Sequence, residues 1–100
     1  MTSDDLPRSR LARLGPRALL DSELLALLIG SAKPDAAARA AGEILAAAGG
    51  LPGLAAWEPA DYARHPGLGP AKAAELVAAI EVARRIRERA HDPGERLDAP

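Results

Sequence analysis

The string Pro66-Gly67-Leu68-Gly69-Pro70-Ala71-Lys72 limits what this chain can fold into more than any other stretch. Two glycines flank one apolar residue, and a proline follows at once. Glycine has no Cβ, so Gly67 and Gly69 permit positive φ and the close approach of another backbone. Pro70 suits the first position of a helix, where its missing N–H is no loss. Ala73, Leu76, Val77, Ile80 and Ala83 then recur at helical spacing, which gives the following helix one apolar face. Upstream, Pro59 to His65 is long enough for two helical turns. The chain must therefore reverse through a tight turn between two helices, with Leu68 dropping from its tip into the core.

Such a turn has a chemical consequence. The first amides of the second helix point outward beside a surface stripped of side chains, a place that suits an anion and above all a phosphate. Lys72, within the first turn, adds a point charge. The phosphate contact is accordingly assigned to Gly67, Gly69, Ala71 and Lys72, while Pro66, Leu68 and Pro70 shape the hairpin. Helix, glycine hairpin and helix, with the small Ala73 four residues after Gly69, resemble the helix-hairpin-helix motif of DNA-binding proteins. The resemblance implies sequence-independent binding of a DNA backbone phosphate. Read without it, the same residues make an αα-turn that needs its glycines for its own geometry. His65 stands where the motif usually has an aliphatic residue, and reads as a core histidine. A monovalent cation on the hairpin carbonyls is compatible with such a turn, and the residues alone do not decide it.

With 100 residues there is room for one small domain. The hydrophobic fraction is 48%, about half of it alanine, so the core must rest on close helix approach and on scattered Leu, Ile and Val. A net charge of −1 argues against a general polyanion binder, and any affinity for DNA must come from local geometry. Cysteine is absent, which removes disulfides and thiolate chemistry and fits a cytoplasmic protein. No apolar stretch reaches bilayer-spanning length, and the acidic start Met1-Thr2-Ser3-Asp4-Asp5 lacks the layout of a signal peptide.

Along the chain, residues 1–5 read as a disordered N-terminus. Pro7 to Leu14 forms a short helix ended by Gly15-Pro16. Asp21 caps a second helix whose run of Leu24, Leu25, Leu27, Leu28 and Ile29 belongs at the centre of the domain. Asp35 caps a third, with Ala37, Ala40, Ala41, Ile44, Leu45 and Ala48 inward and Gly49-Gly50 closing it. Leu51 to Trp57 adds one helical turn. The hairpin unit spans about 59–90, and 91–100 reads as tail or linker. Without period-two alternation the expectation is an all-α bundle of five or six helices ending in the helix-hairpin-helix. Leu14-Gly15-Pro16 faintly echoes Leu68-Gly69-Pro70, a degenerate copy that packs rather than binds.

The order of these segments resembles a family. Leu6-Pro7-Arg8, then Leu14-Gly15-Pro16-Arg17-Ala18-Leu19, then Glu23-Leu24-Leu25-Ala26-Leu27-Leu28-Ile29-Gly30 is similar to the opening of bacterial RadC-family proteins. In those proteins Gly50-Leu51-Pro52-Gly53-Leu54 and the hairpin would follow at a similar distance. The resemblance covers about residues 6–90 and implies a RadC-like N-terminal domain connected with DNA repair. The family pattern continues into a JAMM/MPN domain with a histidine-rich metal motif. Nothing here matches those ligands, so that metallohydrolase-like domain is expected only as a partner absent from this chain. The family tends to place serine three residues before Glu23 for a reciprocal capping box, and Leu20 stands there instead. The bond to Glu23 is therefore expected to be lost.

Other constellations favour plainer readings. Arg84, Arg85, Arg87 and Arg89 suit a helix C-terminus, although Arg64, Arg84 and Arg85 are candidates for auxiliary contacts with DNA. Arg84 should end the buried face with a snorkelling stem. Trp57 and Tyr62 read as core rather than as stacking platforms for bases. His65 and His91 have no companions at metal spacing, so neither metal nor cofactor is expected. DNA glycosylases share the hairpin and carry a catalytic aspartate downstream, where Asp92 lies in Asp92-Pro93-Gly94, but the chain is short for a base-flipping pocket. The expectation is a non-enzymatic DNA-binding module. The alternative is a structural or protein-interaction domain that positions a C-terminal partner, for which the acidic balance speaks.

Overall fold

Among the described residues, proline opens four of the five α-helices. They are α1 (Pro7–Leu14), α2 (Asp21–Ile29), α3 (Pro34–Ala48), α4 (Pro59–Ala63) and α5 (Pro70–Ala90), with 3-10 turns at Pro16–Ala18 and Leu51–Ala56. The computed structural model describes residues 6–31 and 33–90. The expected disordered start and tail, with His91 and Asp92, lie outside them. At the other ends, glycines stop the helices. Gly15, Gly30 and Gly49 stand at the C-caps of α1, α2 and α3, all with positive φ. Proline at the start and glycine past the end follow from one asymmetry: orphan N–H groups at the start, a left-handed residue at the finish. No strand occurs among the described residues, and the fold is all-α.

The core forms where α2 lies on α3. Leu25, Ala26 and Ile29 meet Ala37, Ala40, Ala41 and Ile44, and Leu54, Tyr62, Leu68, Ala73 and Leu76 extend the same cluster towards the hairpin. Three alanines on α3 let the two backbones approach, which is how an alanine-rich chain builds a dense interior. The central place of α2 is as expected, but it is not buried all round. Leu28 is 51% exposed, and Leu20 just before the helix is 68% exposed.

Several local expectations need correction. The N-caps of α2 and α3 are Leu20 and Lys33, so Asp21 and Asp35 lie inside the first turns, where their charge still favours the helix. The bond to Glu23 is not lost. Leu20 N–H donates to Glu23 Oε1 at 2.8 Å, because that half of a capping box needs only the backbone of the cap residue. Glu23 also accepts from the Arg10 guanidinium, whose other nitrogen donates to the Ala18 carbonyl at 2.9 Å and so ties α1 to the start of α2. The segment at 51 runs to six residues of 3-10 helix, and α4 stops at Ala63, short of two turns. Ala83 is exposed, and the buried stripe of α5 fades at the partly buried Ile80. Arg84 is likewise exposed and pairs with Glu81, one turn past the last core contact.

Candidate nucleic-acid interface

The hairpin between α4 and α5 is a type II turn over residues 65–68. Leu68 N–H donates to the His65 carbonyl at 3.2 Å, with Pro66 and Gly67 as the central pair and Gly67 at φ 87°. Proline first and a positive-φ glycine second is the chemistry this turn requires. Leu68 then enters the core at 6% exposure and fixes the turn to the body of the protein. Gly69 accepts from Ala73 N–H at 3.0 Å, as the residue capping α5, and Pro70 begins the helix. Pro66 and Pro70 bracket the tip, and both are exposed.

Gly69 differs from Gly67. Its φ is not in the positive range, and a Cβ built on it would meet nothing within 4 Å. The expectation of positive φ thus holds at Gly67 alone. Among the described residues, no acceptor is recorded for the backbone N–H groups of Gly67, Gly69, Ala71 or Lys72. Gly67, Gly69 and Ala71 are exposed and Lys72 is partly so. Four donors, three of them at the positive end of a 21-residue helix, therefore stand together without acceptors on one corner.

The charges around this corner are unevenly available. Lys72 Nζ donates to Glu75 Oε1 at 2.8 Å and to the Leu28 carbonyl, at the end of α2, at 3.3 Å. Its ammonium is thus engaged on the protein itself. Arg64, one turn of chain before the tip, is 78% exposed on its side chain and makes a loose 3.7 Å pair with Asp61. Arg84 and Arg85 both pair with Glu81 at 2.9 Å. They stand roughly 20 Å along the helix from Gly69, so the fold does not bring them to the hairpin. The Arg85 hydrogen bond is the largest influence lowering the pKa of Glu81; burial opposes it, and the charges of Arg84 and Arg85 add to the lowering.

Aromatic packing supports the turn from beneath. Trp57 lies edge-on to Tyr62 at 5.0 Å between ring centroids and stacks on His65 at 5.8 Å and 22°. Tyr62 is fully buried. His65 therefore replaces the usual aliphatic residue by covering an indole face, a pairing that no helical period announces. The hold of Glu75 and the Leu28 carbonyl on Lys72 is likewise not announced by the sequence, where a Lys/Glu pair three apart is the one available signal. The Gly15-Pro16 echo opens only a three-residue 3-10 turn, so no second hairpin forms there. A cavity of about 360 Å³ lies elsewhere, lined by Leu6, Arg8, Leu27 and Ser31 among others, and takes no residue from the hairpin. No helix among the described residues is long and apolar enough to cross a membrane.

Comparison with known proteins agrees with the order of motifs along the chain. The UPF0758 N-terminal family matches residues 1–74. A UPF0758 protein of Burkholderia cenocepacia (strain HI2424) is 42% identical over 98 residues, covering 94% of this chain and 37% of the relative. One from Halorhodospira halophila is 41% identical over 98 residues, covering 97% of this chain and 44% of the relative. One from Carboxydothermus hydrogenoformans is 47% identical over 83 residues, 82% of this chain and 37% of the relative. The chain thus spans well under half the length of these relatives. No solved structure matches. The RadC-like resemblance is borne out at the level of family, and the match carries no ligand with it.

Proposed function

The chain belongs to the UPF0758 N-terminal family, and on that premise we propose that it is a DNA-binding module that reads backbone rather than sequence. One phosphate oxygen pair sits on the amides of Gly67, Gly69, Ala71 and Lys72, and Arg64 adds an exposed charge beside them. The observation that carries this reading is Gly69: nothing in the fold fills the space of its missing Cβ, yet the amides around it lack acceptors. An external anion would use both features at once. Pro66, Leu68 and Pro70 hold the turn without donating. On this reading the module performs no reaction of its own and serves DNA repair or recombination, which the RadC-like resemblance supports, and a chain without cysteine suits work in the cytoplasm.

Fluorescence anisotropy with a short labelled duplex at low salt tests the proposal. A dissociation constant of roughly 10⁻⁴–10⁻⁶ M, indifferent to sequence, is expected. With about two phosphates neutralised, log K should fall against log salt with a slope of about −2. Gly69→Ala should weaken binding at least tenfold while the far-UV spectrum is unchanged. Equal affinity of Gly69→Ala and the parent would remove the site from the hairpin.

A second reading has its own observation. Val82 and Ile86 are 57% and 65% exposed one turn apart on α5, beyond the last core contact. They suit a protein that positions a partner domain, and the longer relatives have polypeptide to supply one. Under this reading the hairpin is architectural, and duplex binding would be absent even at low salt.

A further inference from the structure

The Lys72 ammonium faces two negative groups, neither of which is a ligand. Lys72 is the third residue of α5, and Glu75 follows three residues on, on the same face of the helix. The Leu28 carbonyl is one of the last four of α2, where the helix carries partial negative charge. The side chain spans 44 positions of sequence to reach it, which joins the hairpin helix to the central helix. With 30% of its side chain exposed against 64% for Glu75, the lysine is the more enclosed partner.

Resting on the phosphate reading above, we propose that Glu75 attenuates anion binding at the hairpin by holding the Lys72 ammonium against the end of α2. The amides of residues 67–72 then bind phosphate with little help from the nearest cation. An exposed pair of this kind is weak, so it holds the lysine without locking it. Neutralising Glu75 leaves the ammonium with neutral acceptors only, the Leu28 carbonyl among them, and a charged phosphate oxygen competes for it on better terms. Glu75 acts through Lys72, and is a positioning residue rather than a contact.

A double-mutant cycle separates this from simple repulsion between Glu75 and DNA. Duplex affinity and its salt dependence are measured for the parent, Glu75→Gln, Lys72→Met and the double variant, each checked for native helicity and thermal melting. Glu75→Gln should bind about three- to tenfold tighter, with a salt slope steeper by about 1. In the Lys72→Met background the same change should gain nothing. An unchanged affinity for Glu75→Gln overturns the proposal, and so does a gain of equal size in both backgrounds, which would assign the effect to Glu75 itself. If all four variants are folded and none binds duplex, the phosphate reading fails and this inference falls with it.

Discussion

Gly53 lies directly against the Ala48 carbonyl: a Cβ built on Gly53 would sit 1.8 Å from that oxygen. The contact seats the Leu51–Ala56 turn on the end of α3 and sets where Leu54, 1% exposed, enters the core. Gly53→Ala should therefore destabilise the fold by about 2–3 kcal/mol, since the obstacle is backbone and cannot rotate aside. Urea denaturation measures it. A loss below about 0.5 kcal/mol would mean that the turn does not pack on α3 in this way.

Gly42 presents the opposite case. It lies exposed inside α3 with nothing within 4 Å of an added Cβ. Gly42→Ala should stabilise by about 0.5–1 kcal/mol through helix propensity alone. Duplex affinity should not change, which makes this variant the control for Gly69→Ala. A destabilised Gly42→Ala in thermal melting would contradict the exposed placement.

The Tyr62 hydroxyl is buried and has no hydrogen-bond partner among the described residues. Burial, aided by the charge of Asp61, pushes its pKa up. A phenol of raised pKa favours the fold below its unfolded value, and that contribution is lost as pH climbs from the ordinary tyrosine range through the folded value. Tyr62→Phe should accordingly be neutral or stabilising by up to about 1 kcal/mol at neutral pH. Ultraviolet titration should show the parent phenol ionising later than free tyrosine. A clear loss of stability in Tyr62→Phe would show that the hydroxyl has a partner.

Acid should loosen the junction of α1 and α2. The Leu20 amide bond is the largest influence holding Glu23 below the usual carboxylate range; the Arg10 bond and charge add to it, and burial opposes them. A depressed folded pKa means stability that is complete above the unfolded value and lost as pH falls through the folded one. Melting temperature followed from about pH 6 down to about pH 2 should fall for the parent, and the fall should be shallower in Glu23→Gln. An identical acid limb in both would mean that Glu23 adds nothing to it.

Much of this architecture is legible because its punctuation is local. Pro7, Pro34, Pro59 and Pro70 start helices, and Gly15, Gly30 and Gly49 stop them, by rules that act within a few residues. The turn at Pro66-Gly67 is legible for the same reason, down to the burial of Leu68. Contacts between distant segments are not. The caps expected at Asp21 and Asp35 give way to Leu20 and Lys33, since Glu23 serves the first cap amide and Pro34 fixes the start of the second helix. The Trp57–His65 stack depends on how α4 folds back, and the Lys72–Leu28 bond on how α5 meets α2. Ala83 keeps the apolar period of α5, but the helix outruns the body it packs against.

The most direct measurement is a ¹⁵N-resolved amide spectrum of the domain, titrated at low salt with a short duplex. Binding through the open hairpin requires saturable shifts of Gly67, Gly69, Ala71 and Lys72, reversed by added salt and absent in Gly69→Ala. If those four amides stay still while the duplex moves others, or moves none, the hairpin is a structural turn and the account given for it is wrong.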